Sequence, residues 1–165
     1  MPALRIDHVE VYAFRRRGRR VEFLLLLRSA HRRRLPGIWQ PVTGQLRARE
    51  RPLAAAMREL RVETGLTPRR WWALETAPHW VDPASGAVVV LPRFAAQVPW
   101  DDRVRLSQEH SRHQFLPAHL AARRVVWESQ ALGLEAVRRM VLRGGALARA
   151  LDVTHLAAAR RRRSS

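Results

Sequence analysis

One helix with well-marked ends constrains the fold of this chain more than any other feature. Residues Arg51 to Thr64 carry Pro52 in the first turn and are followed at once by Gly65, the places that proline and glycine favour at the two ends of a helix. Apolar residues recur at helical spacing along one side: Leu53, Ala56, Met57 and Leu60. The spacing predicts an amphipathic helix with one buried stripe.

The segments before this helix are typical of β-strands. Ile6 to Phe14 alternates in polarity, and Val21 to Arg28 contains a run of apolar residues. The two predict a hairpin whose turn is the glycine-containing stretch Arg15 to Arg20. Ile38 to Thr43 predicts a short extended piece that ends at Gly44.

The segments after the helix combine strands with further helices. Trp71 to Val81 and Ala87 to Val98 predict two strands joined by a tight turn at 82–86. Pro92 predicts a bulge or an edge strand, and 104–116 returns to the sheet through a polar loop. The remaining helix candidates are 117–123 and 129–143. Strands mixed with helices in this order predict an α/β (α+β) sandwich rather than a doubly wound sheet.

The composition fits one folded domain. The chain has 165 residues, 47% of them hydrophobic, which is enough to bury a core. It has no cysteine, which excludes a disulfide framework, a thiolate metal site and a cysteine nucleophile. Its apolar runs are far shorter than the roughly 18 residues that a spanning helix needs. Early charged residues argue against a secretory signal, so we expect a cytoplasmic protein with no membrane partner.

The charge is strongly positive and comes from arginine alone. The sequence holds 31 arginines, no lysine and 14 acidic residues, for a formal net charge of +17. Compositional bias explains arginine in place of lysine without requiring so large an excess. An excess of this size attracts polyanions, from nucleotides to RNA. Background composition and a dedicated nucleic-acid surface therefore both stay open.

Two carboxylates on the predicted helix suggest a chemical role. Glu59 and Glu63 lie four residues apart, so both project from one face beside the apolar stripe. Like charges at this spacing repel, and a bound divalent cation would relieve the repulsion. Mg²⁺ commonly takes one or two carboxylates together with phosphates and water. Taken alone, the pair fits a solvated helix face better, because glutamate pairs are ordinary there.

The wider pattern favours the chemical interpretation. Gly44, five residues, Glu50, seven residues and then the run Arg58 to Leu66 resembles the signature of the Nudix hydrolases. Eight of its nine fixed positions match over 23 residues. The departure is Val62, where the signature has the first glutamate of a Glu-Glu pair. The resemblance, over about residues 6–143, implies a Nudix-type α/β/α sandwich with a mixed β-sheet and a loop-helix-loop catalytic motif.

Carried over position by position, the resemblance implies that Glu59 and Glu63 hold a divalent cation, Mg²⁺ or Mn²⁺. It implies that four further residues brace the motif: Gly44, with a tight turn in the loop, Glu50, Arg58 and Gly65. On the helix Val62 falls beside Glu59 and away from the stripe, so we expect it to be partly exposed at the lip of the site. Because Val62 has no carboxylate, the helix retains two metal ligands, which are enough for one metal ion but too few for a cluster of two or three.

A second set of residues resembles the Nudix subgroup that acts on dihydroneopterin triphosphate and dATP. The set comprises Trp39 to Gly44 before the signature, and Ser107 to His110 with Phe115 and Leu116 after it. This resemblance implies that Glu109 is a further metal ligand or general base, catalytic together with Glu59 and Glu63. From the residues alone, Glu109 is equally a loop acid at a helix start. We expect His110 to be structural.

The implied reaction is hydrolysis within a polyphosphate that is joined to an organic group. Arginines hold phosphates bidentately, and the candidates are Arg28 and the run Arg32 to Arg34. Trp39 is suited to stacking on a base or pterin and equally to the core, and Gln40 beside it is a further candidate for substrate binding. The tryptophans expected in the core are Trp71, Trp72 and Trp127.

The leading hypothesis is a Mg²⁺-dependent Nudix pyrophosphohydrolase that cleaves a nucleoside or pterin triphosphate, a small-molecule phosphoanhydride, into monophosphate and pyrophosphate. The alternative is a catalytically weak Nudix-fold module that binds nucleotide or RNA through the arginine-rich surface. We assign residues 1–145 to the domain and 146–165 to an arginine-rich C-terminal tail, partly helical or disordered. The family's habit implies a homodimer.

Overall fold

Two β-sheets and five α-helices make up the part of the chain that the computed structural model describes, residues 3–163, with side chains described as far as residue 159. The strands are β1 (Leu4–Arg5), β2 (His8–Arg17), β3 (Arg20–Arg28), β4 (Trp39–Gln40), β5 (Val42–Gln45), β6 (Arg70–Ala73), β7 (His79–Val81), β8 (Val88–Val90), β9 (Arg93–Gln97) and β10 (His110–Leu116). The helices are α1 (Pro52–Thr64), α2 (Ala118–Arg124), α3 (Glu128–Val137), α4 (Gly145–Leu151) and α5 (Thr154–Arg163). A π-helical turn, Arg138–Leu142, continues α3.

The large sheet is mixed. Its strands follow the order β10-β3-β2-β9-β6, with β4 paired to β3 and β5 paired to β2. β2 and β9 run parallel, and the other pairs in this sheet are antiparallel. The small sheet has the order β1-β8-β7. The predicted α/β (α+β) class with a mixed sheet is confirmed.

Alternation along β2 places apolar clusters on both faces of the large sheet. Val9, Val11 and Ala13 pack in one cluster with α1, whereas Tyr12 and Phe14 pack in another with α3. Successive side chains of a strand point to opposite faces, so one strand supplies both clusters. The result is a helix-sheet-helix sandwich with α1 and α3 on opposite sides of β2.

The first hairpin has a tighter turn than predicted. β2 and β3 pair as far as Arg17 opposite Arg20, so the turn expected from Arg15 to Arg20 is wrong in extent. Only Gly18 and Arg19 lie between the strands, and Gly18 has a φ of +59°. Glycine adopts this left-handed conformation without a steric penalty, which explains its place in the turn.

The second hairpin is interrupted on both sides. The strand expected from Trp71 to Val81 is divided into β6 and β7, and the strand expected from Ala87 to Val98 is divided into β8 and β9. Pro92 lies at the second break, where a residue without an N–H cannot continue the ladder. β7 and β8 therefore pair with each other around the turn at 82–86, in the small sheet rather than the large one.

The tryptophans divide between core and surface. Trp71 and Trp72 are buried, as expected. The expectation for Trp127 is wrong, because its side chain is 48% exposed. Trp127 precedes the first turn of α3 as its N-cap residue, outside the helical stripe that packs on the sheet.

Residues 146–159 are largely helical and pack on the domain. Ala157 of α5 is buried in the cluster that α1 shares with the sheet. The Val153 N–H donates to the Trp71 carbonyl at 2.9 Å, and the Trp71 N–H donates to Thr154 Oγ1 at 3.0 Å. Residues 164 and 165 of the predicted tail lie outside the described residues. Among the described helices, none has the length and apolar character needed to cross a membrane.

A buried ion pair fixes α3 to the large sheet. Glu10 of β2 accepts hydrogen bonds from Arg93 Nε at 3.1 Å, the Tyr12 hydroxyl at 2.8 Å and the Gln130 amide at 2.9 Å. Arg93 also donates to the Ser129 carbonyl at 2.5 Å. Glu10 and Arg93 are only 2% and 4% exposed. Water therefore has little access to replace a lost partner.

We expect Arg93→Met to lower the free energy of unfolding by about 3–5 kcal/mol, because the substitution leaves the Glu10 carboxylate buried without its cation. Urea unfolding at pH 7 measures this change. The double variant Glu10→Gln/Arg93→Met should lose less than the sum of the two single variants, since both charges are then absent. Strictly additive losses would show that the two side chains do not stabilise each other.

Candidate active site

The loop that precedes α1 passes close to the helix. Gly44 of β5 lies so near Glu59 that a Cβ atom at this position would overlap the Glu59 side chain. The φ of Gly44 is outside the left-handed region, so the close approach, and not a strained turn, requires glycine here. The resemblance implied a tight turn at Gly44, but Gly44 lies in β5 and its glycine is explained by the contact with Glu59.

Arg58 joins the loop to the helix. Its guanidinium donates to the two carboxylate oxygens of Glu50 at 2.9 and 2.8 Å, to the Gln45 carbonyl at 2.8 Å and to Glu59. The Arg47 N–H donates to the same Glu50 carboxylate at 2.9 Å. The hydrogen bonds from Arg58 are the main reason that the pKa of Glu50 is lowered to about 2. Glu50 is therefore ionised at neutral pH, and its charge holds Arg58 in place.

The C-terminal end of α1 is tied to the loop that precedes β10. Gly65 ends the helix with a φ of +69°, the left-handed cap that glycine favours. The N–H of Arg105 donates to the Thr64 carbonyl at 2.8 Å, and the N–H of Ser107 donates to the Glu63 carbonyl at 3.2 Å. These hydrogen bonds hold the two segments that carry acidic side chains against each other.

Glu63 is buried, and one of its carboxyl oxygens has no partner. Glu63 is 2% exposed, and its Oε2 atom accepts no hydrogen bond from the described part of the chain. Burial raises the pKa of Glu63 to about 9, and the negative charges of Glu59 and Glu109 act in the same direction. At neutral pH this carboxyl holds a proton unless a cation takes the place of the proton.

The burial of Glu63 corrects the expected geometry of the helix. The spacing placed both acids on a face beside the apolar stripe. Glu59 is half-buried, but Glu63 is on the buried side of α1 together with Leu60 and Thr64. The buried side is wider than predicted because Val104 and its neighbours in the following loop also pack against this end of the core.

His110, at the start of β10, lies close to Glu63, and its neighbour Glu109 acts on Glu63 through its negative charge. His110 Nδ1 lies 3.8 Å from Glu63 Oε2, and neither imidazole nitrogen has a hydrogen-bond partner among the described residues. Burial lowers the pKa of His110 to about 4, so the ring is neutral at pH 7. Glu109 has a side chain that is 46% exposed and lies 3.5 Å from Arg32. The sequence analysis missed the contact between His110 and Glu63, because spacing along the chain does not report it.

The candidate phosphate-binding arginines lie at the edge of this site. Arg28 is half-buried and close enough to Glu63 that its positive charge counteracts the rise in the pKa of Glu63. Its guanidinium donates to the Arg34 carbonyl at 2.9 and 3.2 Å. Arg33 and Arg34 are exposed. Arg28 and Arg32 are therefore the members of this group that the structure brings to the acidic residues.

The two other candidate substrate residues are in β4. Gln40 is buried and pairs opposite Leu26 of β3. Trp39 is half-buried, packs against the cluster under α3, and has the Arg124 guanidinium 5.3 Å from the centroid of its ring. Trp39 therefore contributes to the core and still has part of its surface exposed.

Val62 is 58% exposed on α1, which agrees with the expected position at the lip. A glutamate at this position would reach solvent and would not need a partner in the core. The valine therefore removes a negative charge from the helix without filling a cavity.

The acidic residues fit one divalent cation. Within the part of the chain that the structure describes, no three His, Cys, Asp or Glu side chains form a ready-made metal cage. Glu63 nevertheless offers an unpartnered oxygen next to the charges of Glu59 and Glu109. Mg²⁺ needs only one or two carboxylates when phosphates and water complete its octahedron. The residues present therefore suit a cation that binds together with a phosphate-bearing substrate.

Comparison with known protein families agrees with the geometry of the motif. The NUDIX domain family matches residues 5–136, which is most of the chain. The chain belongs to the Nudix family. The match covers the whole loop-helix-loop motif from Gly44 to Leu66.

Solved structures share the Nudix fold at low sequence identity. An Ap4A hydrolase from C. elegans is 21% identical with a TM-score of 0.66, over 80% of this chain and 94% of that chain. The dihydroneopterin triphosphate pyrophosphohydrolase of E. coli is 19% identical with a TM-score of 0.65, over 87% of this chain and all of that chain (100%). The NUDIX domain of Shewanella oneidensis NrtR, complexed with ADP ribose, is 17% identical with a TM-score of 0.65, over 84% and 88%. These similarities establish the fold.

A curated relative is much longer than this Nudix protein. The octanoyltransferase of Myxococcus xanthus is 34% identical over 128 residues, which are 73% of this chain and 33% of that protein. The chain therefore spans about a third of the length of this relative.

Glu63→Gln should stabilise the metal-free Nudix domain at neutral and mildly basic pH. In the unfolded chain Glu63 ionises above its ordinary pKa of 4.5, whereas in the folded chain it keeps its proton up to about pH 9. The folded state thus binds more protons across this interval, and the free energy of unfolding falls as the pH rises through it. Glutamine does not ionise, so in EDTA at pH 8 we expect the Tm of the variant to exceed that of the wild type by about 3 °C or more.

The same measurement at pH 4 should show little difference, because both states of the wild type are then protonated. Glu135→Gln is the matched control, since this carboxyl on α3 has a side chain that is 54% exposed. Mg²⁺ should raise the Tm of the wild type and of the control but not that of Glu63→Gln. A Glu63→Gln variant no more stable than the wild type in EDTA would contradict the inferred protonation of Glu63.

Proposed function

We propose that this Nudix domain hydrolyses a nucleoside or pterin triphosphate to a monophosphate and pyrophosphate, with Mg²⁺ or Mn²⁺ held by Glu59, Glu63 and Glu109. The observation that carries the proposal is the buried Glu63 carboxyl, whose Oε2 is unpartnered while two other carboxylates repel its charge. A buried group of this kind requires either a proton or a cation. The negative charges of Glu59 on α1 and Glu109 in the loop before β10 both act on Glu63, and this favours the cation.

The protein's own residues have separable roles in this chemistry. A divalent cation, when bound, neutralises phosphate oxygens and makes a coordinated water easier to deprotonate. Arg58 keeps the Glu59 carboxylate in position through its hydrogen bond. Glu109 is half-exposed, and its negative charge raises the pKa of Glu63. This carboxylate is therefore suited to accept a proton from the attacking water. Arg28 lies beside the same acids and can hold phosphate oxygens.

The proposed substrate class rests on similarity and on one aromatic residue. The residues Ser107 to His110, and those from Trp39 to Gly44, resemble the subgroup that acts on dihydroneopterin triphosphate and dATP. A protein named dihydroneopterin triphosphate pyrophosphohydrolase has the same fold. Trp39 is half-buried and pairs with Leu27 across β3 and β4, and its aromatic ring suits stacking on a base or pterin.

Val62 favours a second candidate function. An exposed valine in place of a signature glutamate lowers the negative charge available for metal binding. A Nudix module that binds nucleotide or RNA with little turnover would keep the same fold. Its binding would fall steeply with salt and persist in EDTA, whereas hydrolysis would require the metal.

Turnover assays separate the two candidates. The purified protein is incubated with a panel of dNTPs, NTPs, dihydroneopterin triphosphate and ADP-ribose, with Mg²⁺ or with EDTA, and the release of pyrophosphate and phosphate is measured. We expect metal-dependent pyrophosphate release from one or two substrates. Glu63→Gln should reduce turnover by roughly 100-fold or more, because a cation ligand is lost, whereas Glu135→Gln should keep the wild-type rate.

Unchanged turnover in Glu63→Gln would exclude the assignment of this residue as a ligand. No turnover across the panel, with ligands still bound in equilibrium dialysis, would favour the binding module instead.

Val62→Glu should lower the Mg²⁺ concentration needed for the half-maximal rate by several-fold, because it adds a carboxylate beside Glu59. The measurement is a Mg²⁺ titration of turnover at fixed substrate concentration. Leu132→Glu is the matched control. Leu132 on α3 is 60% exposed, so this substitution adds the same charge to the surface away from the site. An unchanged or higher requirement in Val62→Glu would mean that the site is completed by other groups, such as Glu109 and water.

Two properties of the whole protein extend the proposal. We expect the protein to be cytoplasmic and, as the family's habit implies, to form a homodimer. Light scattering after size-exclusion chromatography measures the mass in solution and tests the second expectation.

A further inference from the structure

Five arginines project from the turn of the first hairpin. The residues from Arg15 to Arg20 are all arginine except Gly18, and the two strands remain paired up to Arg17 opposite Arg20. All of them except Arg15 are exposed. We refer to residues 15–20 as the arginine tip. A two-residue turn between paired strands holds these side chains on a narrow and well-ordered projection.

Trp100 and Glu22 hold three of these arginines in position. The guanidinium carbons of Arg15, Arg17 and Arg20 lie 4.5, 5.0 and 5.3 Å from the centroid of the Trp100 ring. Glu22 is buried and accepts hydrogen bonds from Arg15 at 2.6 and 2.8 Å, and from Arg20 at 2.5 and 2.8 Å. These contacts restrict the side chains before any ligand arrives, which lowers the entropic cost of binding.

The arginine tip keeps an excess of positive charge. Glu22 is shared by two arginines, and Arg17 pairs with Asp101 at 2.7 Å. Arg16 donates to the Gly18 carbonyl at 3.1 Å. In the described part of the chain neither Arg16 nor Arg19 forms an ion pair. Compositional bias accounts for arginine in place of lysine, but it does not account for three guanidiniums arranged around one tryptophan and one buried acid.

The arginine tip and the candidate active site lie at opposite ends of β3. The strand runs from Arg20, at the tip, to Arg28, which pairs with His110 near the acidic residues. Nine residues of strand span about 26 Å at roughly 3.3 Å per residue. A ligand at the tip therefore leaves the active site free for a small substrate.

We propose that the arginine tip binds the phosphodiester backbone of nucleic acid without sequence preference. Guanidiniums bind phosphate oxygens in a planar, bidentate manner. Three guanidiniums cover the Trp100 ring, so the ring orients arginines rather than stacking on bases, and this favours contacts to the backbone. A two-stranded β-ribbon also has dimensions that fit the major groove of a DNA duplex. Duplex DNA and RNA share the same phosphate chemistry, and the experiment distinguishes them.

Fluorescence anisotropy with a labelled 20-base-pair DNA duplex and a labelled 20-nucleotide RNA tests the proposal over a series of salt concentrations. We expect Arg16→Gln/Arg17→Gln/Arg19→Gln to weaken binding of the preferred nucleic acid by about tenfold or more. A plot of log K against log salt has a negative slope, and its magnitude should decrease by about 2 to 3, because each lost phosphate contact removes close to one released counterion. The three side chains are exposed, so the Tm should stay near that of the wild type.

The matched control removes the same charge from exposed arginines elsewhere, on β10, α2 and the π-helical turn: Arg112→Gln/Arg123→Gln/Arg139→Gln. This variant should bind with nearly wild-type affinity. Equal weakening by the two triple variants would mean that only net charge matters, and it would overturn the proposal. Tighter binding to phosphatidylglycerol vesicles than to either nucleic acid, lost in the tip variant, would also overturn it.

The inference does not depend on the proposed hydrolysis. Turnover of the tip variant on the best substrate of the panel should equal that of the wild type, and Glu63→Gln should bind nucleic acid as the wild type does. Loss of nucleic-acid binding in Glu63→Gln would place the nucleic acid at the active site and contradict the assignment to the tip.

Discussion

The loop-helix-loop motif depends on the hydrogen bonds that the Arg58 guanidinium donates. This guanidinium connects the loop, through Gln45 and Glu50, with the helix, through Glu59. The Arg58 and Glu50 side chains are only 20% and 13% exposed, so these charge-assisted hydrogen bonds are largely shielded from water. If they were lost, the loop between β5 and α1 would lose its side-chain ties to the helix. The position of Glu59 therefore follows from Arg58 and from the absence of a side chain at Gly44.

Glu63 illustrates how a site can conflict with the stability of the domain around it. A carboxyl that is 2% exposed and next to two other acids disfavours its own ionisation, as the raised pKa shows. A leucine in that place would suit the apolar cluster of α1 better. Perturbed acids of this kind concentrate at functional sites, where a ligand supplies what the fold withholds. The His110 ring beside Glu63 is neutral at pH 7 and therefore supplies no positive charge to that carboxyl.

β3 connects the two charged regions of the protein. One end carries Arg28 toward the acids of the Nudix motif, and the other end carries Arg20 into the arginine tip. Opposite charge patterns at the two ends suit opposite ligands: acids that hold a cation, and guanidiniums that hold phosphates. The apolar middle of the strand packs on both faces of the sheet and keeps the two regions rigidly apart.

Sequence alone determined what depends on local chemistry. The ends of α1 follow from Pro52 and Gly65, the first hairpin follows from alternation and Gly18, and the family follows from the motif between Gly44 and Leu66. Tertiary structure decided what depends on residues far apart in the chain. It buried Glu63 under the loop before β10 and brought His110 to that carboxyl. It also divided the second hairpin between two sheets and packed Ala157 into the core. Local propensity acts over a few residues, whereas burial and electrostatic contact depend on how strands and helices pack, which spacing along the chain does not specify.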